Sequence, residues 1–433
     1  MIEQTPAGRL HWPALASLLL AIFSMTVGYG FLLPILPLMV ERIATGSEAT
    51  ALSPHTGLLT GTYTLALFLF APLWGRVADR RGRRPVILLG LIGFASTLAL
   101  FALADSLPLL YLGRVINGLF ASAITPAAYA LIGDYAPSKE WRAHRFALLN
   151  IAGASGFLVG PMLGSLALLF VRELLPGFGD EWVFRIPFFA TAGLAFLVTL
   201  AVFGLVTDEA SRGSARPAAE RVPAGRATLA RLLAISFVTA AAVGAFEVGL
   251  SLRGVQTLGM NLTQVGLMFT ECSLVMLVVQ AIVFSPLVNP ESTRWLLTPA
   301  IVILAAGLVI VPLAANSVMM AIAVALVAAS AGILSPIATY WISLGAGELQ
   351  GTALGRQTAA ASLGQAIGSA AAGLLFGATF VPNAAFTLTA FVVLASLGAS
   401  LGIPRLLADQ DRRSSATIGL PDRLSGIHGG SER

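Results

Sequence analysis

The feature that most constrains the fold of this chain is a series of twelve apolar runs, separated by short charged or turn-rich segments. Each run is near the ~20 residues that a helix needs to cross a bilayer. Inside lipid every backbone polar group must be satisfied within the segment, and the runs show no strand-like alternation, so they should be helices. The sequence predicts an all-α membrane protein with twelve transmembrane helices, at about 13–40, 53–75, 85–104, 107–134, 144–170, 183–206, 229–256, 262–287, 295–314, 318–344, 354–380 and 384–404.

The composition supports a membrane protein and excludes other classes. Hydrophobic residues make up 57% of the chain and charged residues 11%, whereas soluble proteins carry about 25% charged residues. The single cysteine, Cys272, rules out a disulfide framework. No metal-ligand spacing, phosphate loop or nucleophile with a positioned base is visible in the sequence. We therefore expect no enzyme, no metal site and no bound cofactor.

The basic residues are distributed unevenly between the predicted loops. The side with both termini carries Arg9, the five arginines of 76–84, Lys139 and most other arginines, whereas Arg42 and Arg172 lie opposite. Because Lys and Arg accumulate on the cytoplasmic side, both termini are predicted in the cytoplasm. The excess of arginine over lysine suggests a bacterial source, and so the inner membrane. This topology explains the pI near 9.9 better than nucleic-acid binding does.

The polar run 207–228, rich in small residues and prolines, is typical of a solvated linker. It divides the chain into a six-helix half (1–206), the cytoplasmic linker (207–228), a second six-helix half (229–405) and a cytoplasmic tail (406–433), which we expect to be disordered. A weak repeat supports duplication. Pro126 recurs as Pro336, and Arg145 before one glycine-rich span recurs as Arg356 before another, both about 210 residues apart.

The loop 75–85 packs five arginines and one aspartate into a short turn. A loop that only fixes topology needs neither the aspartate nor the glycines, which permit tight turns and close backbone contact. The spacing G-x-x-x-D-R-x-G-R-R resembles the loop between spans 2 and 3 of the major facilitator superfamily. The resemblance implies the major facilitator fold and a conformational latch that joins the two halves in the outward-facing state, formed by Gly75, Asp79, Arg80, Gly82, Arg83 and Arg84.

A charged residue, Arg114, lies inside the fourth run. A charge there costs about 3 kcal/mol on insertion scales, which makes it a functional candidate. The alternative is an arginine that extends to the outer headgroups. Asn117 follows three residues later on the same helical face. The pair resembles the span-4 motif R-x-x-Q-G, with Asn117 replacing the usual glutamine, and in that family the arginine is implicated in proton coupling.

The fifth run carries Gly156, Gly160, Pro161 and Gly164. Small residues at this spacing form a groove for a neighbouring helix, and a proline adds a bend. A general packing face is the alternative interpretation. The pattern G-x-x-x-G-P-x-x-G is similar to the antiporter motif of proton-coupled drug exporters, although Ser165 stands where a second glycine is usual. The resemblance is weaker after this run, since the loop 285–299 lacks the pattern of 75–85.

Two carboxylates, Glu247 and Glu271, lie inside the seventh and eighth runs, at a depth close to Arg114. Ionised carboxylates are costly in hydrocarbon, so each should face a cavity and be either paired or protonated. We predict that they carry proton or substrate coupling, and the sequence does not choose between them. A structural pair of Glu247 with Arg253 is the alternative, but a spacing of six places them on different helical faces.

Two further features have ordinary explanations. We expect Asp134 at the end of span 4 to be solvated or to cap the helix. The aromatic residues that could line a cavity are more often ordinary packing residues. These are Tyr29, Phe31, Tyr63, Phe246 and Trp341.

These patterns together favour a proton-driven exporter of small, amphipathic organic compounds that works by alternating access. Its partners would be the substrate, protons and the lipid bilayer, with no nucleic acid, and the resemblance implies a monomer. One alternative is a symporter or uniporter for metabolites or siderophores, against which the span-5 motif argues. Another alternative is a sensor or scaffold that does not transport. The intact loop 75–85 argues against it.

Overall fold

The structure is a computed structural model that describes residues 10–43, 52–174, 181–206, 225–260, 262–283, 285, 288–346, 350–376 and 384–407. Most of the predicted linker (207–224) and of the predicted tail (408–433) lies outside the described residues.

Within the described residues the chain forms twelve principal α-helices and no strand. The helices are α1 (Trp12–Ile43), α2 (Leu52–Arg81), α3 (Arg83–Phe101), α4 (Leu107–Tyr135), α5 (Lys139–Leu174), α6 (Glu181–Leu205), α7 (Arg226–Gln256), α8 (Leu262–Val283), α9 (Leu297–Leu313), α10 (Ser317–Leu344), α11 (Gln350–Leu375) and α12 (Ala384–Ala395). A 3₁₀ segment, Pro290–Leu296, precedes α9, and one helical turn, Leu397–Ser400, follows α12. Each predicted apolar run overlaps one helix, so the predicted all-α membrane fold is confirmed.

Among the described residues, eleven of the helices are long and apolar enough to span a membrane. The exception is α11, which is rich in glycine, alanine, serine and glutamine. It packs extensively against both α2 and α7. Because neighbouring helices cover α11, it needs less apolar surface than a helix that faces lipid. Its low hydropathy is therefore compatible with a position inside the bundle.

The buried side chains form two main hydrophobic clusters. The first comes from α1–α6 and the segments beside them, apart from Leu354. The second comes from α7–α12 and the segments beside them, apart from Ala143 and Ala147. The helices before and after the 207–224 gap thus each have their own apolar core. We refer to α1–α6 as the first helix set and to α7–α12 as the second helix set.

Glycines bring helix backbones together in both sets. A Cβ atom at Gly156 or Gly160 of α5 would collide with backbone atoms of α1, since it would lie 2.5 Å from Phe23 O and 2.8 Å from Val27 O, respectively. In the second set, Cβ atoms at Gly364 and Gly368 of α11 would collide with the backbone of α7. The two glycine pairs repeat the offset of about 210 residues that the sequence suggested. The faint sequence repeat therefore coincides with a repeated mode of helix packing.

Candidate functional site

Polar contacts join the two helix sets at two levels. The first level is at one end of the bundle, which carries the α2–α3 turn at Gly82, the α4–α5 turn at 136–138 and the start of α11 at Gln350. We call this end the basic face. The second level lies within the spanning helices.

Asp79 connects α2 to the start of α11 at the basic face. One oxygen, Oδ1, accepts a hydrogen bond from the Gly351 backbone N–H at 3.0 Å. The other, Oδ2, accepts from the backbone N–H of Thr352 at 2.8 Å and from its hydroxyl at 2.5 Å. The first N–H groups of a helix have no partner inside the helix, and the helix dipole favours a negative charge there. Asp79 therefore caps α11 from the other helix set.

Arg83 holds this carboxylate in place. Its Nη1 donates to Asp79 Oδ1 at 2.5 Å, and its Nε donates to Asp134 Oδ2 at 3.1 Å. Asp134 is thus part of an ion-paired network and not merely a solvated or capping residue, which corrects the sequence interpretation. We call Asp79, Arg83, Asp134, Gly351 and Thr352 the basic-face latch.

The other predicted latch residues divide into two groups. Gly75 lies against the backbone of Gly351, and Gly82 makes the α2–α3 turn with φ 97°, a conformation that favours glycine. Arg80 is exposed and makes no hydrogen bond or ion pair with any described residue. Arg84 donates to Phe203 O at 2.6 Å and lies over the Phe203 ring, so it contacts α6. The structure therefore brings Gly75, Asp79, Gly82 and Arg83 together at the seam between the two sets.

Arg142 forms a second link at the basic face, which sequence reasoning missed. The side chain is 2% exposed. Its Nη2 donates to Gly133 O of α4 at 3.0 Å, and its Nη1 donates to the carbonyl and hydroxyl oxygens of Ser343 of α10 at 2.9 and 3.1 Å. The Ser343 hydroxyl in turn donates to Gln350 Oε1 at 2.8 Å. A buried guanidinium thus ties α4 and α5 to α10 and the start of α11.

The second level centres on Glu247 of α7, which is 7% exposed. Its Oε2 accepts hydrogen bonds from the Tyr29 hydroxyl at 3.0 Å and from Gln365 Nε2 at 3.2 Å. Gln365 Nε2 also donates to the Tyr29 oxygen at 3.0 Å. No cationic side chain forms an ion pair with Glu247 in the part of the chain that the structure describes. A buried carboxylate is therefore held by neutral donors from α1 and α11.

Arg114 reaches this group through aromatic rings. The Tyr29 and Tyr63 rings stack with centroids 5.6 Å apart, and the guanidinium of Arg114 lies 4.9 Å from the Tyr63 centroid. Its Nε donates to Leu59 O at 3.3 Å. Its buried Nη2 has no hydrogen-bond partner among the described residues. We call Tyr29, Tyr63, Arg114, Glu247 and Gln365 the central cluster.

Aromatic packing continues from this cluster towards α8. Phe157 of α5 stacks on Tyr29 with centroids 6.0 Å apart, and Phe269 of α8 meets Phe157 at 6.3 Å. Both helix sets therefore contribute rings to one series of aromatic contacts beside a buried acid.

The remaining coupling candidates lie apart from the central cluster. Asn117 donates to Thr97 Oγ1 at 2.9 Å, so it faces α3. Glu271 is half-buried and makes no hydrogen bond or ion pair with any described residue. Arg253 donates to Pro312 O at 2.9 Å and to Ala314 O at 3.0 Å. Arg253 does not pair with Glu247, so the alternative pair considered from the sequence does not form.

The antiporter-type residues lie where α5 meets α1. Gly156 and Gly160 allow the close backbone contact described above, and Pro161 lies beside Gly30. The surroundings of Gly164 lie outside the described residues. Tyr29 is next to Gly30 in α1, and Phe157 is next to Gly156 in α5. The motif therefore lies where α1 and α5 bring these two aromatic rings together.

Comparisons with known proteins agree on the type of chain. A family model described as Major Facilitator Superfamily matches residues 18–369. A multidrug resistance protein 2 of Bacillus subtilis is 25% identical over 394 residues, which cover 89% of this chain and 93% of that protein. A tetracycline resistance protein, class E, of Escherichia coli is 36% identical over 185 residues, 42% of each chain.

One further match covers part of the sequence, and another concerns the fold. The quinolone resistance protein NorA of Staphylococcus aureus is 30% identical over 188 residues, 43% of each chain. The matches to this protein and to the tetracycline protein thus span less than half of their lengths. The crystal structure of the human organic anion transporter MFSD10 (TETRAN) superposes with a TM-score of 0.73 at 21% identity, and covers 90% of this chain and 99% of that one. At that identity the likeness establishes the fold alone.

Proposed function

The chain belongs to the Major Facilitator Superfamily, and from that membership and the geometry of its site we propose that it exports small organic compounds in exchange for protons. The two helix sets would act as rocking halves that expose a central site to each side of the membrane in turn. The proton gradient would supply the driving force, without a bound cofactor.

The observation that carries the proposal is the hydrogen bonding of Glu247. In this conformation Oε2 accepts from a tyrosine of the first helix set and a glutamine of the second. Protonation of the carboxyl group removes its negative charge and so weakens both of these hydrogen bonds, which join the two sets. Protonation would thus act directly on the contact between the halves. An acid with a permanent cationic partner would respond less, because the cation stabilises its ionised form.

The basic-face latch and Arg142 bear on the transport cycle. Both close one end of the seam between the helix sets. We propose that the basic face is cytoplasmic, as the positive-inside rule requires, and that this conformation is closed on that side. Inward opening would then break the contacts of Asp79 with α11 and of Arg142 with α10. Glu247 would meanwhile exchange its proton for substrate.

Two observations support amphipathic organic compounds as substrates. The rings of Tyr29, Phe157 and Phe269 form a continuous series of aromatic contacts beside Glu247, which a substrate could enter when the halves move apart. The bacterial relatives are named for resistance to tetracycline, to quinolones and to multiple drugs. A tetracycline and a quinolone are therefore the first compounds to test.

The test uses the full chain in proteoliposomes with an imposed pH gradient. Glu247→Gln keeps the shape of the side chain but cannot titrate, so we expect it to abolish uphill transport while downhill movement stays measurable. Glu271→Gln is the matched control, because it makes the same change in α8 at a position with no hydrogen-bond or ion-pair partner among the described residues, and it should keep both fluxes. Uphill pumping by Glu247→Gln at the wild-type rate would show that coupling does not run through this acid. Downhill flux without proton movement in the wild type would indicate a uniporter.

A further inference from the structure

Arg145 of α5 lies between two indole rings at the basic face. Its guanidinium carbon is 4.6 Å from the ring centroid of Trp12 and 5.1 Å from that of Trp141. Trp12 is the first residue of α1, and Trp141 lies in the first turn of α5. The rings therefore fix the cation at the level where α1 and α5 begin. Each such contact contributes about 0.5–1 kcal/mol at an exposed site, which is enough to orient the side chain.

The N–H groups of Arg145 remain available. The residue is half-buried and makes no hydrogen bond or ion pair with any described residue. Arg83 and Arg142 at the same face direct their N–H groups to oxygens of the protein. Arg145 thus differs from them, because two rings position its cation while no described residue accepts its N–H groups. The planar edge of a guanidinium matches two oxygens of a phosphate group.

The residues around Arg145 indicate that a phosphate bound there would belong to a lipid. Trp12 is 63% exposed although it is a large aromatic residue at the end of a spanning helix. Indole rings favour the headgroup level of a membrane, where the ring meets acyl chains and the N–H meets water. Basic residues beside spanning helices attract anionic lipids. We infer that Arg145, with Trp12 and Trp141, binds the phosphate of an anionic phospholipid at the basic face.

The internal repeat supplies a comparison within the same chain. Arg356 of α11 occupies the position equivalent to Arg145 and is also exposed to the basic face. It makes no ring contact, hydrogen bond or ion pair with any described residue. An arginine at this repeat position therefore does not create the arrangement, which depends on the two tryptophans. Arg356 is a natural control for charge alone.

The experiment is native mass spectrometry of the purified full chain titrated with phosphatidylglycerol. We expect the highest-affinity lipid to bind about tenfold more weakly to Arg145→Ala, because a charge-assisted hydrogen bond is lost. Trp12→Ala, which removes one exposed ring and keeps the cation, should weaken binding by about two- to fivefold. Arg356→Ala should bind like the wild type. If Arg145→Ala does not purify as a monodisperse protein, Trp12→Ala carries the test.

Other outcomes would overturn the inference. Wild-type affinity in Arg145→Ala, or in Trp12→Ala alone when the first variant cannot be purified, would exclude the site. An equal loss in Arg356→Ala would reduce the effect to general charge. Glycerol phosphate that displaces the lipid at equal concentration would indicate a site for soluble phosphates. Equal affinity for phosphatidylcholine and phosphatidylglycerol would exclude recognition of an anionic lipid.

Discussion

The basic-face latch and the central cluster both join the two helix sets, but by different chemistry. In the latch, four donors converge on the two oxygens of Asp79, and one of them belongs to a buried arginine. In the central cluster, two neutral donors share one oxygen of Glu247, and Arg114 is reached only through the Tyr63 ring. The donors to Asp79 thus include a cation, whereas the described donors to Glu247 are neutral.

This difference indicates a separate role in transport for each of the two regions. The contacts of Asp79 join α2 to the start of α11, so the latch should open when these helices move apart. Glu247 is a titratable group whose described donors are neutral. We therefore expect the latch to set the equilibrium between conformations, and we expect the central cluster to link that equilibrium to protons.

The largest effect is expected for Asp79→Asn. The amide places an NH₂ group against donors, and it leaves buried Arg83 without its nearer carboxylate, a change of the kind that costs about 3–5 kcal/mol. Transport should fall below about a tenth of the wild-type rate, with expression near normal because the topogenic arginines remain. Spin labels at positions 80 and 356, in a Cys272→Ser background, should move apart on average.

Asp105→Asn is the control for this prediction. Asp105 is exposed between α3 and α4 and makes no hydrogen bond or ion pair with any described residue. It should keep wild-type transport and label distance. Wild-type transport by Asp79→Asn would mean that the 75–85 loop serves topology alone.

A smaller loss is expected for Arg142→Ala, since the basic-face latch remains. Truncation of a buried, hydrogen-bonded cation costs about 2–5 kcal/mol, and the bonds lost here include those to Gly133 and Ser343. Transport should fall about tenfold, and the distance between labels 80 and 356 should broaden without a complete shift. Arg142→Lys should recover part of the activity. The exposed Arg76 provides the control Arg76→Ala, which should transport like the wild type.

The fold was predictable because its signals are continuous along the chain. Twelve apolar runs of spanning length leave few alternatives to helices. The glycine spacing in α5 predicted a groove for a neighbouring helix, and Gly156 and Gly160 do lie against the backbone of α1. The depth of Glu247 and Arg114 also followed from their positions within runs, and the structure connects them through Tyr63 and Tyr29.

The partners in the site were harder to predict because each comes from a distant helix. Tyr29 and Gln365 lie in different helix sets and are ordinary residues in an apolar or small-residue run. Their role appears only when three helices meet at Glu247. Asn117 shows a second limit. It lies three residues after Arg114, yet α4 sits between α2 and α3, so the two side chains face different neighbours.

A moderate effect is expected when the donors to Glu247 are removed. Tyr29→Phe deletes the hydrogen bond to Glu247, worth about 1 kcal/mol, together with the one that Gln365 donates to Tyr29, and keeps the ring. Uphill transport should fall about fivefold, and its pH dependence should shift, while the distance between labels 80 and 356 stays as in the wild type. Tyr111→Phe is a matched control, because it removes a tyrosine hydroxyl that contacts His55 away from Glu247. A changed label distance in Tyr29→Phe would show that the two levels are not separable.

The smallest effect is expected for Tyr63→Phe, which tests how Arg114 belongs to the central cluster. The ring of Tyr63 lies between the guanidinium of Arg114 and the ring of Tyr29, so the aromatic face and not the hydroxyl should matter. Tyr63→Phe should keep proton-driven transport within about twofold of the wild type, whereas Tyr63→Leu, which loses the ring–cation contact of about 1–2 kcal/mol, should reduce it about tenfold. Initial rates at several pH values measure both. Wild-type rates in both variants would mean that Arg114 acts without the ring. A tenfold loss in both variants would assign the role to the hydroxyl. Either result would remove the aromatic link by which a fixed cation can influence Glu247 without neutralising it.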